Sequence, residues 1–285
     1  MPFALILFLG LLQGATELFP VSSLGHAVVV PAIFHLNVNA ASDSFVPFLT
    51  LLHLGTAAAL FYIYRHDWIR IIAAFFRAAI RGRITNDTER LSMLLLAGTV
   101  PTALVGAVLE TPVKRLFAKP ALAAGFLILN GVVLLGAEML RRRREQALAV
   151  TDRQGQEEAF AAAPNLSFVQ AALIGFSQVA AFLPGISRSG VTMATGLACG
   201  LRHQEALRFG FLLATPVIGG AGVLEIPQLL GSGAPLGEYA LGALLAAAAA
   251  FASAKFLIRY FRVGRLDPFA GYCVALGLAG LVAAH

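Results

Sequence analysis

Six uncharged stretches, each 16 to 20 residues long, are the feature that most limits what this chain can fold into. At about 1.5 Å of rise per helical residue, 20 apolar residues cross roughly 30 Å, the thickness of the hydrocarbon core of a bilayer. Only 13% of the residues are charged, whereas a soluble domain carries about 25%, so the charges are too few to cover a water-exposed surface. The sequence therefore excludes a soluble enzyme and predicts an all-α, polytopic membrane protein with transmembrane helices near 45–64, 91–109, 121–140, 205–225, 238–258 and 268–284.

Two further apolar stretches are each interrupted near the middle by a proline. Residues 1–42 contain one acid, Glu17, and residues 166–201 contain one base, Arg188. The 36 residues of the second stretch are too few for two full crossings and a turn, but they suit two half-length helices that enter and leave on the same side. We therefore predict two re-entrant helical hairpins in addition to the six transmembrane helices.

The two hairpin stretches match each other at an offset of 165 residues, which aligns Gly10 with Gly175, Gln13 with Gln178, Ser22 with Ser187 and Gly25 with Gly190. Each half of the chain, 1–140 and 166–285, then contains one hairpin and three spans, and an odd number of crossings inverts the second half. We predict a single membrane domain over 1–285, built as an inverted repeat around a polar inner linker at 141–165. The alternative is a chance match of small residues that are common in membrane helices.

The basic residues are divided unequally between the two sides of this topology. Seventeen of the 21 lysines and arginines fall in loops on one side, and three fall on the other. Because cytoplasmic loops are rich in Lys and Arg, the first side is predicted to be cytoplasmic, and the mouth of the first hairpin faces the outside. The net charge of +6 follows from this bias and does not indicate a nucleic-acid partner.

The turn of the first hairpin, QGATELFPVSSLGH, gathers polar residues in an otherwise apolar stretch. An ionisable group at membrane depth costs about 2.5 to 3.5 kcal/mol on insertion scales, so it is by default a functional hypothesis. Gln13 and Glu17 are four residues apart and share one helix face, and Ser22, Ser23 and His26 follow the proline. The structural alternative is that the two serines only cap the second half-helix.

The turn of the second hairpin, LPGISRSGVT, places Arg188 among Ser187, Ser189 and Thr192 at a predicted helix N-terminus. A guanidinium offers a rigid pair of donors to phosphate oxygens, and the backbone N–H groups of a helix N-terminus add to it. This pattern predicts an anion-binding turn. The alternative is that Arg188 pairs structurally with Glu17, which also brings the two turns together.

A carboxylate, an imidazole, hydroxyls and a guanidinium in one membrane site indicate phosphoryl transfer, which depends on positioning and charge neutralisation, often with a divalent cation. The substrate is then a lipid phosphate or diphosphate whose tail stays in the bilayer. Ser23 and His26 lie three residues apart on one face, which suggests a nucleophile and its base. Direct attack by water is the alternative. We predict that His53 and Asn130 lie outside the site and pack or hydrogen-bond between helices.

At these residues the sequence resembles the undecaprenyl-diphosphate phosphatases, the bacitracin-resistance phosphatases of bacterial inner membranes. One family pattern appears as Gln13 to Glu17 followed by Pro20 to His26, and the other as Pro184 to Thr192. The similarity in length and order of segments extends over essentially the whole chain. The resemblance implies hydrolysis of undecaprenyl diphosphate to the monophosphate, which recycles the carrier lipid for peptidoglycan synthesis, at a site open to the periplasmic side.

The resemblance also gives the expected roles. A divalent cation, Mg²⁺ or Ca²⁺, would assist, with Glu17 as its ligand, and a homodimer is compatible with the resemblance. Gln13 stands where some family members have Glu, so we do not assume a two-carboxylate metal site, and Leu24 replaces a small or hydroxylated residue. A transporter or flippase of a lipid phosphate or other anion is the competing class. The expected catalytic residues are Glu17, Ser23, His26 and Arg188, and the expected substrate-binding residues are Gln13, Ser22, Ser187, Ser189 and Thr192.

Overall fold

The structure, a computed structural model, describes residues 2–36, 45–114, 119–151, 166–231 and 235–284. Within these ranges the chain forms eleven α-helices and one 3₁₀ helix, Gln178–Phe182, and no strand. An all-helical protein is what the sequence predicts. In chain order the α-helices are α1 (Phe3–Thr16), α2 (Ser23–Ile33), α3 (Phe45–Ile63), α4 (Arg65–Arg81), α5 (Asp87–Lys114), α6 (Pro120–Thr151), α7 (Phe168–Ser177), α8 (Arg188–Ala198), α9 (His203–Gly231), α10 (Leu236–Tyr260) and α11 (Asp267–Ala283).

Several of these helices are apolar enough for a bilayer. By length and composition, three described segments can cross one, namely Pro120–Gln146 of α6, α9 and α10, and the pair formed by α3 and α4 raises the number to four. Four further apolar segments are shorter: α1, α2, α11 and α7 together with the 3₁₀ helix. These helices are those of a multi-pass membrane protein. The predicted ends of the first hairpin and of the inner linker, 37–42 and 152–165, lie outside the described residues.

Both predicted hairpins are interrupted at their expected turns. The chain leaves α1 at Thr16 and begins α2 at Ser23, and it leaves the 3₁₀ helix at Phe182 and begins α8 at Arg188. Helix α1 has 14 residues and α2 has 11, which correspond to about 21 and 16 Å, well short of the roughly 30 Å of a bilayer core. Each turn therefore lies between helices too short to span.

Residues 65–90 were expected to form only a basic loop, and this expectation is wrong for 65–81. Helix α4 occupies those residues and meets α3 at an angle of 84°. One face, with Ile71, Ala74 and Ala78, is buried against the protein, while Ile69 and Ile80 are exposed. A basic helix with exposed apolar residues, perpendicular to a span, is typical of the membrane interface.

Close packing of helices from the two halves of the chain surrounds the turns. Helix α1 packs against α10, α7 against α5, and α6 against α11. Gly10 faces the backbone of Gly242, and Gly175 faces the backbone of Gly98, with no room for a Cβ atom at either position. Small residues allow such backbone contact between membrane helices. The interleaving of the halves places both turns inside the bundle.

Candidate active site

The turn from Glu17 to Ser23, here called the first tip, and the turn from Leu183 to Arg188, the second tip, are joined by direct hydrogen bonds. Ser22 Oγ accepts from the backbone N–H of Gly25 in its own helix and from that of Gly185 in the second tip, both at 3.2 Å. The hydroxyls of Ser187 and Ser189 donate to the carbonyl of Phe19, at 3.2 and 2.8 Å. These three predicted substrate-binding serines therefore hold the tips together.

Asn130, in the middle of α6, adds a second connection between the tips. Its Nδ2 donates to the carbonyl of Pro20 at 3.0 Å, and its Oδ1 accepts from the backbone N–H of Ser187 at 2.9 Å. The side chain is completely buried. Asn130 does hydrogen-bond between elements, as predicted, but the elements it joins are the two tips, so it belongs to the site.

Glu17 lies at the centre of the site. Its Oε2 accepts a hydrogen bond from Gln13 Nε2 at 2.9 Å and another from the hydroxyl of Ser23. The same oxygen lies 3.3 Å from His53 Nε2, and Oε1 lies 3.9 Å from Arg188 Nη2. The Glu17 side chain is 5% exposed. Three further residues predicted from the sequence therefore meet around this carboxylate: Gln13 from α1, Ser23 from the start of α2 and Arg188 from the start of α8.

His53, from α3, lies in this site, so the prediction that it packs outside the site is wrong. Its Nδ1 lies 2.7 Å from the carbonyl of Leu49, while its Nε2 faces Glu17. Both ring nitrogens thus face acceptor oxygens, and the ring lies with Arg188 beside the Glu17 carboxylate. The available signal was the presence of a single ionisable side chain in an apolar span, which is a functional hypothesis in its own right.

His26 does not contact Ser23 in the structure. Its Nδ1 lies 2.7 Å from the carbonyl of Ser22, and its Nε2 lies 2.8 Å from the hydroxyl of Tyr272 in α11. The two rings are stacked, with their centroids 5.5 Å apart. The pairing of Ser23 with His26 expected from their spacing is therefore absent among the described contacts, because Glu17 accepts the hydrogen bond from Ser23.

Thr192 lies one turn into α8. Its hydroxyl donates to the carbonyls of Arg188 and Ser189, at 2.9 and 3.1 Å, and the residue is buried. Its hydroxyl is thus engaged by its own helix. These bonds do not join it to Glu17.

The N-termini of α2 and α8 converge on a small cavity beside Glu17. Each of these helices has 11 residues, and the N-terminus of a helix carries partial positive charge and unpaired N–H groups that favour anions. The cavity measures about 10 Å³, roughly the space of one water molecule, so side chains must move to admit a phosphate group. Its lining consists of Glu17, Ser22, Ser23, Leu24, His53, Ala181, Ile186, Ser187 and Arg188.

Oxygen atoms of the Glu17 side chain and of its neighbour Gln13 are suitable ligands for a divalent cation that also binds the substrate. Among the described residues, no group of three or more His, Cys, Asp or Glu side chains is placed to hold a metal ion. Mg²⁺ is, however, often bound by one or two carboxylates together with substrate phosphates. Gln13 Oε1 is buried and has no hydrogen-bond partner in the described part of the chain. That oxygen and the Glu17 carboxylate are compatible with such a cation.

Comparison with known proteins gives matches over nearly the whole chain. The model of the family described as bacitracin resistance protein BacA matches residues 6–279. The undecaprenyl-diphosphatase of Mycolicibacterium paratuberculosis is 45% identical over 287 aligned residues, with 96% of this chain and 94% of the relative covered. Undecaprenyl-diphosphatase 1 of Burkholderia pseudomallei and undecaprenyl-diphosphatase 2 of Burkholderia lata are each 44% identical, with the same coverage.

Proposed function

Because this chain belongs to the bacitracin resistance protein BacA family, we propose that it is an undecaprenyl-diphosphatase. It is a membrane-embedded hydrolase that splits undecaprenyl diphosphate into undecaprenyl phosphate and inorganic phosphate. The observation that carries the proposal is the contact of the Ser23 hydroxyl with the Glu17 carboxylate, beside Arg188 and two helix N-termini. A nucleophile, a proton acceptor and an anion-binding group are what phosphoryl transfer needs.

Binding of the diphosphate is assigned to the second tip. Arg188 is the first residue of α8, so its guanidinium and the N-terminus of the helix act on the same anion. A guanidinium binds two phosphate oxygens with fixed geometry. When the diphosphate enters, Arg188 exchanges its 3.9 Å contact with Glu17 for the substrate oxygens. Charge that develops on those oxygens in the transition state is then stabilised by donors already in place.

Ser23 is proposed as the nucleophile and Glu17 as its base. The Ser23 hydroxyl gives its proton to the Glu17 carboxylate, its Oγ bonds to the terminal phosphorus, and the bond from that phosphorus to the bridging oxygen breaks. Undecaprenyl phosphate leaves. The oxygen of a water molecule then bonds to the phosphorus as the bond from phosphorus to Ser23 Oγ breaks. Ser23 Oγ takes its proton back from Glu17, and inorganic phosphate leaves with both hydrogens of the water. Support comes from the Ser23 to Glu17 hydrogen bond. Attack by water without a phosphoserine is the alternative.

The two histidines have different proposed roles. His53, 3.3 Å from Glu17, holds the carboxylate in place. It also shares the proton that the carboxylate takes up from Ser23. His26 contacts the Ser22 carbonyl and Tyr272 instead of the reacting groups. It therefore acts as a positioning residue, which fixes the start of α2 and with it the direction of Ser23.

A divalent cation fits the same site as an assisting group. Glu17 and Gln13 Oε1 would hold it. When bound, it would supply positive charge to neutralise the diphosphate oxygens. The protein itself binds the diphosphate through Arg188 and the two helix N-termini.

The inverted repeat and the membrane orientation are part of the proposal. The offset of 165 that relates the tips also relates Gly10 to Gly175, and each of these glycines contacts a glycine of the opposite half of the chain. Arg208 contacts Asp67 at 3.2 Å, which places the basic segments around α4 and α9 at the same end of the bundle. This end is assigned to the cytoplasm of the bacterial inner membrane by the positive-inside rule, and the active site opens to the other side.

The decisive experiment is release of inorganic phosphate from undecaprenyl diphosphate by the purified chain in detergent. We expect turnover without any ion gradient, and a loss of about 10³-fold in Glu17→Gln, which keeps the shape but removes the base. Monodisperse elution of both proteins controls for folding. A transporter or flippase gives no phosphate in detergent. Absence of turnover in the wild-type protein, with gradient-dependent transport in vesicles, would exclude the phosphatase.

A further inference from the structure

A second cavity, of about 540 Å³, lies away from the active site at the arginine-rich end of the bundle. It is formed where the last part of α6, the turn between α8 and α9, and the turn between α10 and α11 meet. Helix α8 joins the two sites, since it begins at Arg188 and ends at Ala198, beside this cavity. Its 11 residues separate them by about 15 Å. The charged residues of its lining are Arg141, Arg144, Glu145, Arg202, His203, Arg262 and Arg265.

The walls of this cavity are fixed by buried contacts. Glu138 is completely buried beneath it, where it accepts from Arg141 Nη2 at 2.8 Å and lies 2.9 Å from His203 Nε2. It also accepts from the backbone N–H of Leu266 at 3.3 Å. Arg144 Nη1 donates to the carbonyl of Ala198 at 2.6 Å, at the end of α8. One carboxylate and one guanidinium thus connect α6 to α8, α9 and α11.

The arginines of the lining outnumber the carboxylates that neutralise them. Arg141 pairs with Glu138 and Glu145, and Arg202 pairs with Glu205. By contrast, the guanidinium groups of Arg262 and Arg265 make no hydrogen bond or ion pair with the part of the chain that the structure describes. The positive-inside rule explains why basic residues occur at this end. It does not explain why five guanidiniums from three separate segments line one concavity, where like charges repel unless an anion lies between them.

We propose that this cavity is a second anion site, which takes a phosphate-bearing ligand from the arginine-rich side of the membrane. Guanidiniums match phosphate oxygens in both charge and geometry. The volume corresponds to on the order of 18 water molecules at about 30 Å³ each, so it exceeds that of one phosphate ion and suits a diphosphate or a phospholipid headgroup. Val263, which is 92% exposed at the rim, is placed to contact the acyl chains of a lipid.

The test compares two double variants that lose the same charge at the same end of the bundle. Arg262→Gln with Arg265→Gln removes the two cavity guanidiniums that make no hydrogen bond or ion pair with the described part of the chain. Arg143→Gln with Arg259→Gln removes two exposed arginines that are outside the cavity lining. Both variants keep the active site, so its own binding of phosphate groups contributes equally to each, and phosphatase turnover should stay at the wild-type rate.

Two measurements separate the sources of the phosphate group. The first is equilibrium binding of inorganic pyrophosphate to delipidated protein in detergent. The second is retention of phosphatidylglycerol, measured by native mass spectrometry after release from nanodiscs that also contain phosphatidylcholine. We expect the cavity variant to bind at least one of the two probes about tenfold or more weakly, since each charge-assisted hydrogen bond lost is worth roughly that factor. The control variant should bind both probes as the wild-type protein does. Loss of pyrophosphate binding identifies a soluble ligand, and loss of phosphatidylglycerol identifies a lipid.

Unchanged binding of both probes in the cavity variant, or equal loss in the two double variants, would overturn the proposal. In that case the arginines act only through their total charge. Because the readout is binding, its failure is distinct from failure of the phosphatase assay. Arg262→Lys with Arg265→Lys keeps the charge but loses the planar donors. It should weaken binding by a smaller factor, and it decides the question if the glutamine variant does not fold.

Discussion

The two tips share one capping hydrogen bond and differ in the chemistry they carry. Ser22 caps α2 by accepting from the N–H of Gly25, and Ser187, 165 residues later, caps α8 by accepting from the N–H of Gly190. The residue after each cap differs. It is Ser23 in the first tip and Arg188 in the second. Each cap begins a helix, and the residues that follow the caps are the proposed nucleophile in one tip and the proposed anion-binding group in the other.

At the same offset, the second tip has no carboxylate at the position that corresponds to Glu17. Glu17 corresponds to Phe182, and Gln13 corresponds to Gln178. Gln13 donates to Glu17, whereas both polar atoms of the Gln178 side chain are buried without a hydrogen-bond partner in the described part of the chain. The difference teaches that the two tips have a capping serine in common, while the carboxylate proposed as the base belongs to one of them.

The largest effect is expected when the first tip loses its nucleophile. Ser23→Ala should lower kcat by about 10⁴-fold or more, because no other hydroxyl in the part of the chain that the structure describes contacts Glu17, and the loss of a nucleophile typically costs this much. Initial rates of phosphate release provide the measurement, and wild-type enzyme quenched in acid should carry a labelled phosphoryl group on Ser23.

Ser22→Ala is the matched control for this change. It removes a cap and the contact to Gly185, which should cost about 1 kcal/mol of stability, but it leaves the nucleophile in place. If Ser23→Ala kept a tenth or more of the wild-type rate, Ser23 would only hydrogen-bond the substrate, and water would be the attacking group.

The corresponding change in the second tip is Arg188→Lys. It should lower kcat/KM by about 10²-fold, since a point charge does not reproduce the bidentate contact with phosphate. Steady-state kinetics measure it, with Arg259→Lys, at an exposed position of α10, as a control that should behave as wild type. Near-normal kinetics for Arg188→Lys would mean that Arg188 serves only to neutralise Glu17.

A smaller effect is expected when the connection between the tips is removed. Asn130→Ala leaves the buried Ser187 N–H and the Pro20 carbonyl without this partner, which should cost about 2 kcal/mol. We expect a lower thermal unfolding midpoint together with about a tenfold lower kcat. The control is Thr102→Val, which removes the 2.6 Å bond to the Gly175 carbonyl away from the tips. It should lower the midpoint but leave kcat unchanged, and equal kinetic losses would contradict a specific role of Asn130.

The smallest effect is expected at the glutamine without a partner. Gln178→Leu should leave kcat unchanged and raise the stability by up to about 1 kcal/mol, because a buried amide with unmade hydrogen bonds is replaced by an apolar side chain of similar size. Gln13→Leu, in contrast, removes a donor to Glu17 and should reduce turnover. Thermal unfolding and phosphate release, measured on both variants, test the pair. A loss of turnover in Gln178→Leu would show that the second tip also contributes a polar contact to catalysis.

Much of the site could be predicted from the sequence because its residues lie close together along the chain. Gln13 and Glu17 are one helical turn apart, and Ser23 follows within one short turn, so local geometry alone brings them near each other. Arg188 required one further step, the pairing of the two hairpins. His53 and Tyr272 could not be found in this way, since each comes from a separate helix and the side of a helix that faces the site depends on packing.

The sequence by itself determined that this protein lies in lipid, that it is helical and that it has two polar turns. The reason is that transfer of apolar and charged groups into lipid depends on the residues within each segment. Only the tertiary structure decided which groups meet. In the folded chain the Ser23 hydroxyl donates to Glu17 and not to His26, and His26 contacts Tyr272. The fold also places His53 beside the carboxylate and five arginines around one cavity. Such pairings depend on the relative rotation and depth of helices that are far apart in the sequence, and these are set by close contacts such as Gly10 with Gly242 and by Asn130 between the tips.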